Sequence, residues 1–257
     1  QLAGGDVAIT VGDSVERGFA SEDAILVDSG AGLKIDAERL LAAQPDFIIA
    51  TADLSAQSEI CAQFSDLGIP CAAFSEEHFD DYLAMLRLFT DITGNQDAYV
   101  RYGEEGAARV QKQLDEAKAL AQQAGSAPSV LLIRAGSGDS STKAKTAADH
   151  FVGVMLEELG AVNIADAAGS LSERLSLESI LVNQPDLILI IPQGDEEAAI
   201  AYMESVFAQS GWCDLTAVQN GRYTFLPKEF FHYKPNARWD EAYARLIALL
   251  YPESVHD

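Results

Sequence analysis

The chain has 257 residues, of which 40 are Asp or Glu and 17 are Lys or Arg, so its formal net charge at pH 7 is −23. This charge repels phosphate backbones and excludes a nucleic-acid partner. A hydrophobic content of 48% excludes a disordered or fibrous chain. Apolar runs such as Leu187–Pro192 are far shorter than the roughly 20 residues of a membrane-spanning helix. The length favours two lobes of roughly 100–150 residues each.

The three cysteines and the first residues carry little functional information. Cys61, Cys71 and Cys213 lack the spacing of a zinc site, and the sequence favours three small buried hydrophobic side chains. We expect no metal site and no resident cofactor. The chain begins at Gln1 with neither an initiator Met nor a signal segment, which indicates that the natural N-terminus has been removed.

Short apolar runs bounded by turn residues alternate with helical patterns along the chain. The predicted strands are Val7–Val11, Ala24–Val27, Phe47–Ala50, Cys71–Phe74, Val130–Ile133, Leu187–Ile191 and Tyr223–Leu226. The predicted helices are Ile35–Gln44, Ser55–Leu67, Ala147–Leu159, Leu177–Gln184, Glu196–Gln209 and Arg238–Leu250. Strands separated by helices of this length form βαβ units, which predicts an α/β fold with mainly parallel sheets.

One long segment carries helical periodicity without a strand. Its second half, from Tyr99 to Gln123, is rich in Ala, Glu, Gln and Lys and ends before Pro128. The sequence therefore predicts an N-terminal lobe over residues 1–95, a connecting helix over 96–124 and a C-terminal lobe over 125–257. The alternative is a long helix packed on the side of one larger domain.

A repeat relates the two predicted lobes. The segment Ile35–Ala50 matches Ser176–Ile190 as a short helix, a Gln-Pro-Asp turn and a buried strand, at an offset of 140 residues. Glu38 and Glu178 each lie seven residues before the proline of their copy. The match predicts two pseudo-symmetric lobes, although one helix–turn–strand unit can also recur by chance in an α/β chain.

The repeat and several further motifs resemble one known family. Leu156–Asp166, Val218–Pro227 and the ending Phe231–Tyr243 with Leu249–Glu253 are similar to ABC-importer solute-binding proteins with a rigid helical backbone. Members of that cluster take up iron-siderophores, haem and cobalamin. The resemblance implies a monomeric, non-enzymatic protein that captures a metal chelate in a cleft between its lobes and delivers it to an ABC permease dimer.

The resemblance also implies where the protein works and where the chain departs from its relatives. An extracytoplasmic location is implied, either in the periplasm or lipid-anchored at the outer face of the cell membrane. Family members begin with a strand and a helix before the segment that resembles Leu2–Ile9, and this opening unit is missing here. A missing strand would expose a sheet edge in the N-terminal lobe.

The loop after the first strand of the C-terminal lobe is the first candidate for ligand binding. It combines Arg134, Lys143 and Lys145 with hydroxyl side chains, Ser141 among them, in an otherwise acidic chain. Three cations at a strand end favour a ligand that is anionic or carries carboxylates. The loop does not fit a P-loop or a dinucleotide fingerprint, and a solvated surface loop is the alternative.

A cluster of aromatic and basic residues, Phe230–Trp239, is the second candidate. Aromatic faces beside cations can bind a large planar ligand, and His232 or Tyr233 could serve iron as a metal ligand. The alternative is that these aromatics pack the last helix against its lobe. The residues expected from this cluster are Tyr233, Lys234, Arg238 and Trp239, and the weaker N-terminal candidates, chosen because they follow strand ends, are Asp13, Asp53 and Glu76.

Other classes of function have weaker support. The chain has no Gly-x-Ser-x-Gly elbow, no His-x-x-x-His pair and no Cys–His arrangement, but Asp53, Glu76, Glu77 and Asp80 could form a carboxylate pair. A soluble α/β enzyme with a carboxylate-lined cleft is therefore the alternative function. A structural or adhesion module is a third possibility.

The two equivalent glutamates complete the set of candidates. In the family that the chain resembles, one glutamate on each lobe pairs with arginines of the permease dimer, and the matching residues are Glu38 and Glu178. A carboxylate in the first turn of a helix is also favoured by the helix dipole, which is the alternative role.

Overall fold

Alternating strands and helices make up both halves of the chain in the computed structural model, which describes residues 1–167 and 177–252. Contacts divide the chain into an N-terminal lobe, Gln1–Gly103, and a C-terminal lobe, Glu104–Asp257. All but one of the strand pairings in the described part are parallel. The α/β class predicted from the sequence is confirmed.

The N-terminal lobe contains two small parallel sheets with helices after each strand. Its elements are β1 (Ile9–Val11), α1 (Gly12–Glu16), β2 (Ile25–Asp28), α2 (Ala37–Ala42), β3 (Ile48–Thr51), α3 (Ser55–Asp66), β4 (Cys71–Phe74), α4 (Phe79–Thr93) and α5 (Gln96–Tyr99). Strand β1 pairs with β2, and β3 pairs with β4. The core contains Val27, Leu40, Ile48, Ile60 and Phe64. Ile25 and Ile49 on the strands are 40% and 57% exposed.

A disulfide joins Cys61 in α3 to Cys71 at the start of β4, with 5.4 Å between their Cα atoms. Cys213 is a free, exposed cysteine. The sequence-based interpretation of three small buried hydrophobic residues is therefore wrong. The pairing arises from the fold: β4 follows α3 after a turn, which places Cys71, its first residue, beside that helix. The spacing of the cysteines in the sequence does not show this.

A continuous helical segment leads from one lobe into the other. It consists of α5, a π-helical turn over Val100–Glu104 and α6 (Glu105–Ala124). Gly94, with φ of 70°, ends α4 in the left-handed conformation, and the side chain of Asn95 accepts from Ala98 N at the start of α5. Gly125, also left-handed at φ of 72°, ends α6. The division between the lobes falls inside this segment.

The C-terminal lobe is built on one five-stranded sheet. Its elements are β5 (Ser129–Ala135), β6 (Lys143–Ala144), α7 (Phe151–Glu158), β7 (Val162–Asn163), α8 (Ile164–Ala167), α9 (Leu177–Asn183), β8 (Leu187–Pro192), α10 (Glu196–Phe207), α11 (Thr216–Gln219), β9 (Tyr223–Phe225), α12 (Lys228–Phe231) and α13 (Trp239–Leu250). The strand order is β6-β5-β8-β9, and β7 also pairs with β5. Strand β6 is antiparallel to β5.

The central strands are buried on both faces, as their continuous apolar sequence predicts. Leu131 and Ile133 of β5 belong to a core cluster with Met203 and Phe207 of α10. Because side chains alternate along a strand, Leu132 and Arg134 point to the opposite face. The sequence predicted the main strands to within a few residues and missed β6 and β7, which have two residues each and no apolar run.

The predicted repeat has a backbone counterpart. Gln44 and Gln184, which precede the two equivalent prolines, adopt positive φ angles of 51° and 40°. In both copies a helix therefore ends in a left-handed residue just before a proline that cannot continue it. The first residue of the second copy, Ser176, and the last residue of the C-terminal motif, Glu253, lie outside the described residues.

We expect the disulfide to stabilise the N-terminal lobe. Cys61 and Cys71 are 10 positions apart, and a closed loop of this size contributes about 2–3 kcal/mol in the chain-entropy model. Replacing both cysteines by Ser should lower the free energy of unfolding by about this amount, measured by urea denaturation. Cys213→Ser is the matched control and should leave it unchanged; equal stability of all three proteins would contradict the prediction.

Candidate ligand-binding site

The carboxyl end of the C-terminal sheet brings the predicted basic loop together. Arg134 lies one residue before the end of β5, opposite Ile191 of β8, and the antiparallel strand β6 places Lys143 beside it. Lys145 follows β6 directly, and its amide donates to Leu132 O at 2.9 Å. Ligands of open α/β sheets bind at this edge, outside the carboxyl ends of the strands.

Internal hydrogen bonds fix the loop between β5 and β6. The buried hydroxyl of Thr142 donates to Gly138 O at 2.9 Å and accepts from Gly136 N at 3.2 Å. Ser141 Oγ donates to Gly138 O at 2.9 Å. A Cβ on Gly136 would lie 2.3 Å from Ser141 Oγ, so a larger residue cannot occupy this turn without a shift. These hydrogen bonds hold the turn together, while Ser137, Asp139 and Ser140 within it are exposed to solvent.

Lys145 is anchored through its backbone by a buried amide side chain. Asn163, which is 2% exposed, donates from Nδ2 to Lys145 O at 2.7 Å. Burial is the main cause that lowers the pKa of the Lys145 ammonium, and the charge of Arg134 lowers it further. Burial also lowers the pKa of the Arg134 guanidinium, while Asp149 acts in the opposite direction. The two cations therefore share a partly desolvated region.

Asp149 is a carboxylate whose charge acts on both Arg134 and Lys145. Its Oδ2 accepts from Thr146 Oγ1 at 2.8 Å, and this hydrogen bond is the main cause that lowers the pKa of the Asp149 carboxyl. A Cβ on Gly153 would lie 2.7 Å from Ala147 Cα, so glycine permits α7 to pack closely against this turn. This close packing positions His150, which lies between the turn and α7.

His150 begins α7 and lies among the cations. Its ring stacks on Phe151 with 4.9 Å between centroids, and its Nδ1 accepts from Val152 N at 3.3 Å. Burial is the main cause that lowers the pKa of this imidazole to about 3, and the charges of Lys234, Arg134 and Lys145 lower it further. His150 is therefore neutral at physiological pH.

Lys234 joins the same region from the second predicted cluster. Its φ of 66° is left-handed, a conformation that a residue other than glycine seldom adopts. Its Nζ lies 4.8 Å from the centroid of the Phe151 ring. Such strained residues concentrate at binding sites, where the surrounding structure imposes them. We call Arg134, Lys143, Lys145 and Lys234 the cationic cluster.

Two buried polar atoms at the strand ends have unused hydrogen-bonding capacity. Arg134 Nε and Gln193 Oε1 are inaccessible to solvent and have no hydrogen-bond partner among residues 1–167 and 177–252. Gln193 directly follows β8, and its amide donates to Ala135 O at 2.7 Å, so both side chains start from neighbouring strand ends. Buried polar groups of this kind usually pair with water or a ligand.

The other residues expected from the aromatic cluster have structural surroundings. Trp239 is 1% exposed and lies edge-on to Phe151 in the core, with 5.7 Å between centroids, so we do not propose it for ligand contact. Arg238 makes two hydrogen bonds with Glu241, at 2.9 and 2.7 Å, and stacks on Phe230. These contacts match the packing alternative considered for this segment.

Tyr233 remains beside the cationic cluster. Its ring lies 4.9 Å from that of His232, and Lys228 Nζ lies 5.6 Å from its centroid. The charge of His232 also acts on His150. Lys228 donates to Gly194 O at 2.7 Å, which connects α12 to the loop after β8. Tyr233 is therefore kept as a candidate for ligand contact.

The three N-terminal candidates follow strand ends, as expected. Asp13 pairs with Arg17 at 2.7 Å, and Asp53 Oδ1 accepts from Ser75 Oγ at 2.7 Å. Glu76 is half-buried and Glu38 is exposed. Within the described part of the chain, no group of three or more His, Cys, Asp or Glu side chains could coordinate a metal ion.

Sequence reasoning did not select His150 and Gln193. Both carried a positional signal: His150 directly precedes the apolar run that begins at Phe151, as a helix N-cap does, and Gln193 directly follows a buried strand. Histidine is uncommon as an N-cap, because Ser, Thr, Asp and Asn dominate this position. Only the packing of α7 against the loop shows that His150 lies among cations.

The profile of the periplasmic binding protein family matches residues 2–230, so the chain belongs to this family. No helix in the described ranges has the length and apolarity needed to cross a bilayer. The family consists of substrate-binding transport proteins, and the enzyme alternative with a carboxylate-lined cleft is set aside.

Two solved structures share the fold of this chain, and one further relative is similar in sequence. The vitamin B12 binding protein BtuF of Vibrio cholerae has a TM-score of 0.72 at 18% identity, covering 97% of this chain and 89% of that chain. S. aureus IsdE, complexed with heme, has a TM-score of 0.71 at 17% identity, covering 90% of this chain and 85% of that chain. The molybdate-binding protein MolA of Haemophilus influenzae is 24% identical over 207 residues, 76% of this chain, which spans 57% of that protein's length.

The neutral, half-buried His150 should make the free energy of unfolding depend on pH. In the unfolded chain an imidazole binds a proton near pH 6.5, but the folded pKa is about 3, so protons favour unfolding between these values. The free energy of unfolding should therefore fall as pH falls from about 6.5 toward 3. His150→Asn should flatten this dependence, measured by urea denaturation at several pH values.

Asp149 also favours the folded state less as pH falls, because its pKa is lowered in the folded chain. This contribution is common to both proteins and cancels in the difference between wild type and variant. Parallel curves for wild type and His150→Asn over this range would show that His150 does not resist protonation.

Proposed function

We propose that the protein is the solute-binding component of an ABC importer and that its ligand is a metal-containing anion bound at the cationic cluster. The ligand is either a metal chelate that bears carboxylates, such as a ferric siderophore, haem or a corrinoid with anionic groups, or an inorganic oxyanion of the molybdate type. The chemistry common to both is an anionic oxygen attached to a metal or to its chelator. A thermal-shift panel that contains both kinds of compound distinguishes the chelate from the oxyanion.

The observation that carries this proposal is a concentration of positive charge at one strand edge of a chain whose net charge is −23. Arg134 lowers the pKa of Lys145, so the cations oppose one another in the unliganded protein. Asp149, the carboxylate that acts on both cations, is already hydrogen bonded to Thr146. An anionic ligand would relieve this repulsion and could use the unsatisfied donor Arg134 Nε.

The relatives support both ligand sources. MolA is a molybdate-binding protein, BtuF is a vitamin B12 binding protein, and the structure of IsdE is a complex with heme. The aromatic ring of Tyr233 would suit a large planar chelate, whereas the fixed loop between β5 and β6 would suit a compact oxyanion. The shared requirement is the positive charge.

An extracytoplasmic location follows from the same proposal. The Cys61–Cys71 disulfide supports it, because disulfides form and persist in oxidising compartments and are rare in the cytosol. We extend the proposal to a protein that is either free in the periplasm or lipid-anchored at the outer face of the membrane, and that acts as a monomer.

Delivery of the ligand requires a partner in the membrane. We propose that Glu38 and Glu178 contact an ABC permease dimer. Both residues are exposed and lie in the first turn of a short helix, α2 and α9. Both helices belong to the repeat and end in the same left-handed Gln before proline. Equivalent carboxylates in two equivalent units suit a partner with two equivalent subunits.

Binding can be tested with a thermal-shift panel of haem, cyanocobalamin, a ferric siderophore and sodium molybdate. A ligand at 100 times its Kd adds about 2.7 kcal/mol to stability. The double variant Arg134→Gln with Lys145→Gln should lose the shift produced by the positive compound, because both substitutions remove positive charge without removing much volume. Lys112→Gln, an exposed lysine on α6, is the matched control.

Two outcomes would contradict the binding proposal. The first is that no compound of the panel stabilises the wild-type protein. The second is that the double variant binds the positive compound as tightly as the control does, which would place the ligand elsewhere.

Docking can be tested separately by charge reversal. Glu38→Lys with Glu178→Lys should abolish binding to the reconstituted permease and leave ligand affinity unchanged, because neither carboxylate belongs to the cationic cluster. The control combines Glu59→Lys with Glu196→Lys, which reverses one exposed carboxylate in each lobe. Permease binding measured by co-purification should persist in the control; persistence in the test variant would leave Glu38 and Glu178 with the helix-dipole role alone.

A further inference from the structure

The hydrogen bond at the start of α7 determines which nitrogen of His150 carries the proton. Val152 N donates to Nδ1 at 3.3 Å, so Nδ1 must present its lone pair. A neutral imidazole has one N–H group and one acceptor nitrogen. The proton of His150 therefore resides on Nε2, and the ring can donate from Nε2 but cannot accept or coordinate there.

The surroundings of His150 oppose a second proton and favour an anion. Burial is the main cause that disfavours the imidazolium, and the charges of Lys234, Arg134, Lys145 and His232 act in the same direction. Lys234 Nζ lies 4.8 Å from the centroid of the Phe151 ring, on which His150 stacks. Phe151 covers one face of the ring. Asp149, the neighbouring carboxylate, is engaged by Thr146. Among the described groups around it, His150 is thus a neutral donor in a positively charged environment.

We propose that His150 is a specificity-determining residue of the binding site, which donates from Nε2 to an anionic oxygen of the ligand and does not coordinate a metal ion. The inference rests on the proposed function, since it assigns a contact within the same site. It adds a neutral, directional donor to the charges of the cationic cluster.

Metal coordination by His150 would conflict with two features of the fold. Coordination through Nε2 requires a lone pair on that atom, which moves the proton to Nδ1 and breaks the bond from Val152 N. A metal cation beside the ring would also be repelled by Lys145, Arg134 and Lys234. The expected contact is therefore with the oxygens of an oxyanion or of a chelating group, and not with the metal.

The variant His150→Asn separates capping from ligand binding. Asparagine is a favourable N-cap, and its side-chain oxygen can accept from Val152 N, but its amide is shorter than the imidazole and does not reach the position of Nε2. We expect the apo melting temperature at neutral pH to change little and ligand affinity to fall about tenfold or more, as for the loss of a hydrogen bond to a charged group. Isothermal titration with molybdate, and with haem in a separate arm, measures the affinity.

His150→Ala serves as the companion variant, because it removes both the cap and the donor. It should lower the apo melting temperature as well as ligand affinity. If His150 only caps α7, affinity will be retained in His150→Asn, and this result would overturn the proposal.

Nitrogen NMR of the imidazole distinguishes ligand contact from helix capping, because capping alone predicts no change of the Nε2 signal when the ligand is added. In the apo protein we expect a protonated Nε2 and an unprotonated Nδ1, and addition of the bound anion should shift Nε2 while leaving the tautomer unchanged. Titration with Zn²⁺ alone should leave both signals in place. A protonated Nδ1, or Zn²⁺ bound through Nε2, would overturn the proposal.

The two proposals fail in different ways. Absence of binding by every compound of the panel contradicts the proposed function. Binding of molybdate or of haem with equal affinity by wild type and His150→Asn leaves the proposed function intact and overturns the role of His150. A selective loss of affinity in His150→Asn supports both.

Discussion

Repulsion among cations at one edge of the C-terminal sheet is the constraint on which the candidate site depends. Arg134 and Lys145 are both partly desolvated, and burial followed by the charge of Arg134 lowers the pKa of the Lys145 ammonium. Left to themselves, such side chains would turn outward into water, where their charges are screened. The fold fixes the backbones from which these side chains start: Asn163 and β5 anchor Lys145, and the strand pairing with β6 anchors Arg134 and Lys143, the last of which is exposed.

Polar residues that never touch a ligand are therefore part of the site. Thr142 closes the loop between β5 and β6, Asn163 connects β7 to Lys145, and Gly153 permits close packing of α7 against the preceding turn. Each is buried or closely packed, so its replacement would move charges at the sheet edge as well as weaken the core. The position of Lys234 depends on the same principle, because a strained backbone conformation persists only where its surroundings impose it.

The sequence predicted the fold more fully than the site. Apolar runs such as Leu187–Pro192 are long enough to identify buried strands, and Gly94 and Gly125 mark helix ends, so local chemistry was sufficient for the α/β class. The basic residues of the loop after β5 could also be selected from the sequence, because they follow a strand that its apolar run identifies. His150 could not, because its role arises from α7 packing beside the loop. Trp239 was selected because it is an aromatic residue in a cluster of aromatic and basic residues. Only the structure shows that its side chain is buried in the core.

The contrast between a cationic edge and an acidic chain has a consequence for the speed of ligand capture. An anion that approaches from bulk solvent first meets the field of a molecule with net charge −23 and is repelled. It is attracted only within about one Debye length of the cluster, roughly 8 Å at physiological ionic strength. Added salt weakens the long-range repulsion more than the short-range attraction, so association should accelerate over a range of ionic strength in which most electrostatically steered encounters slow down.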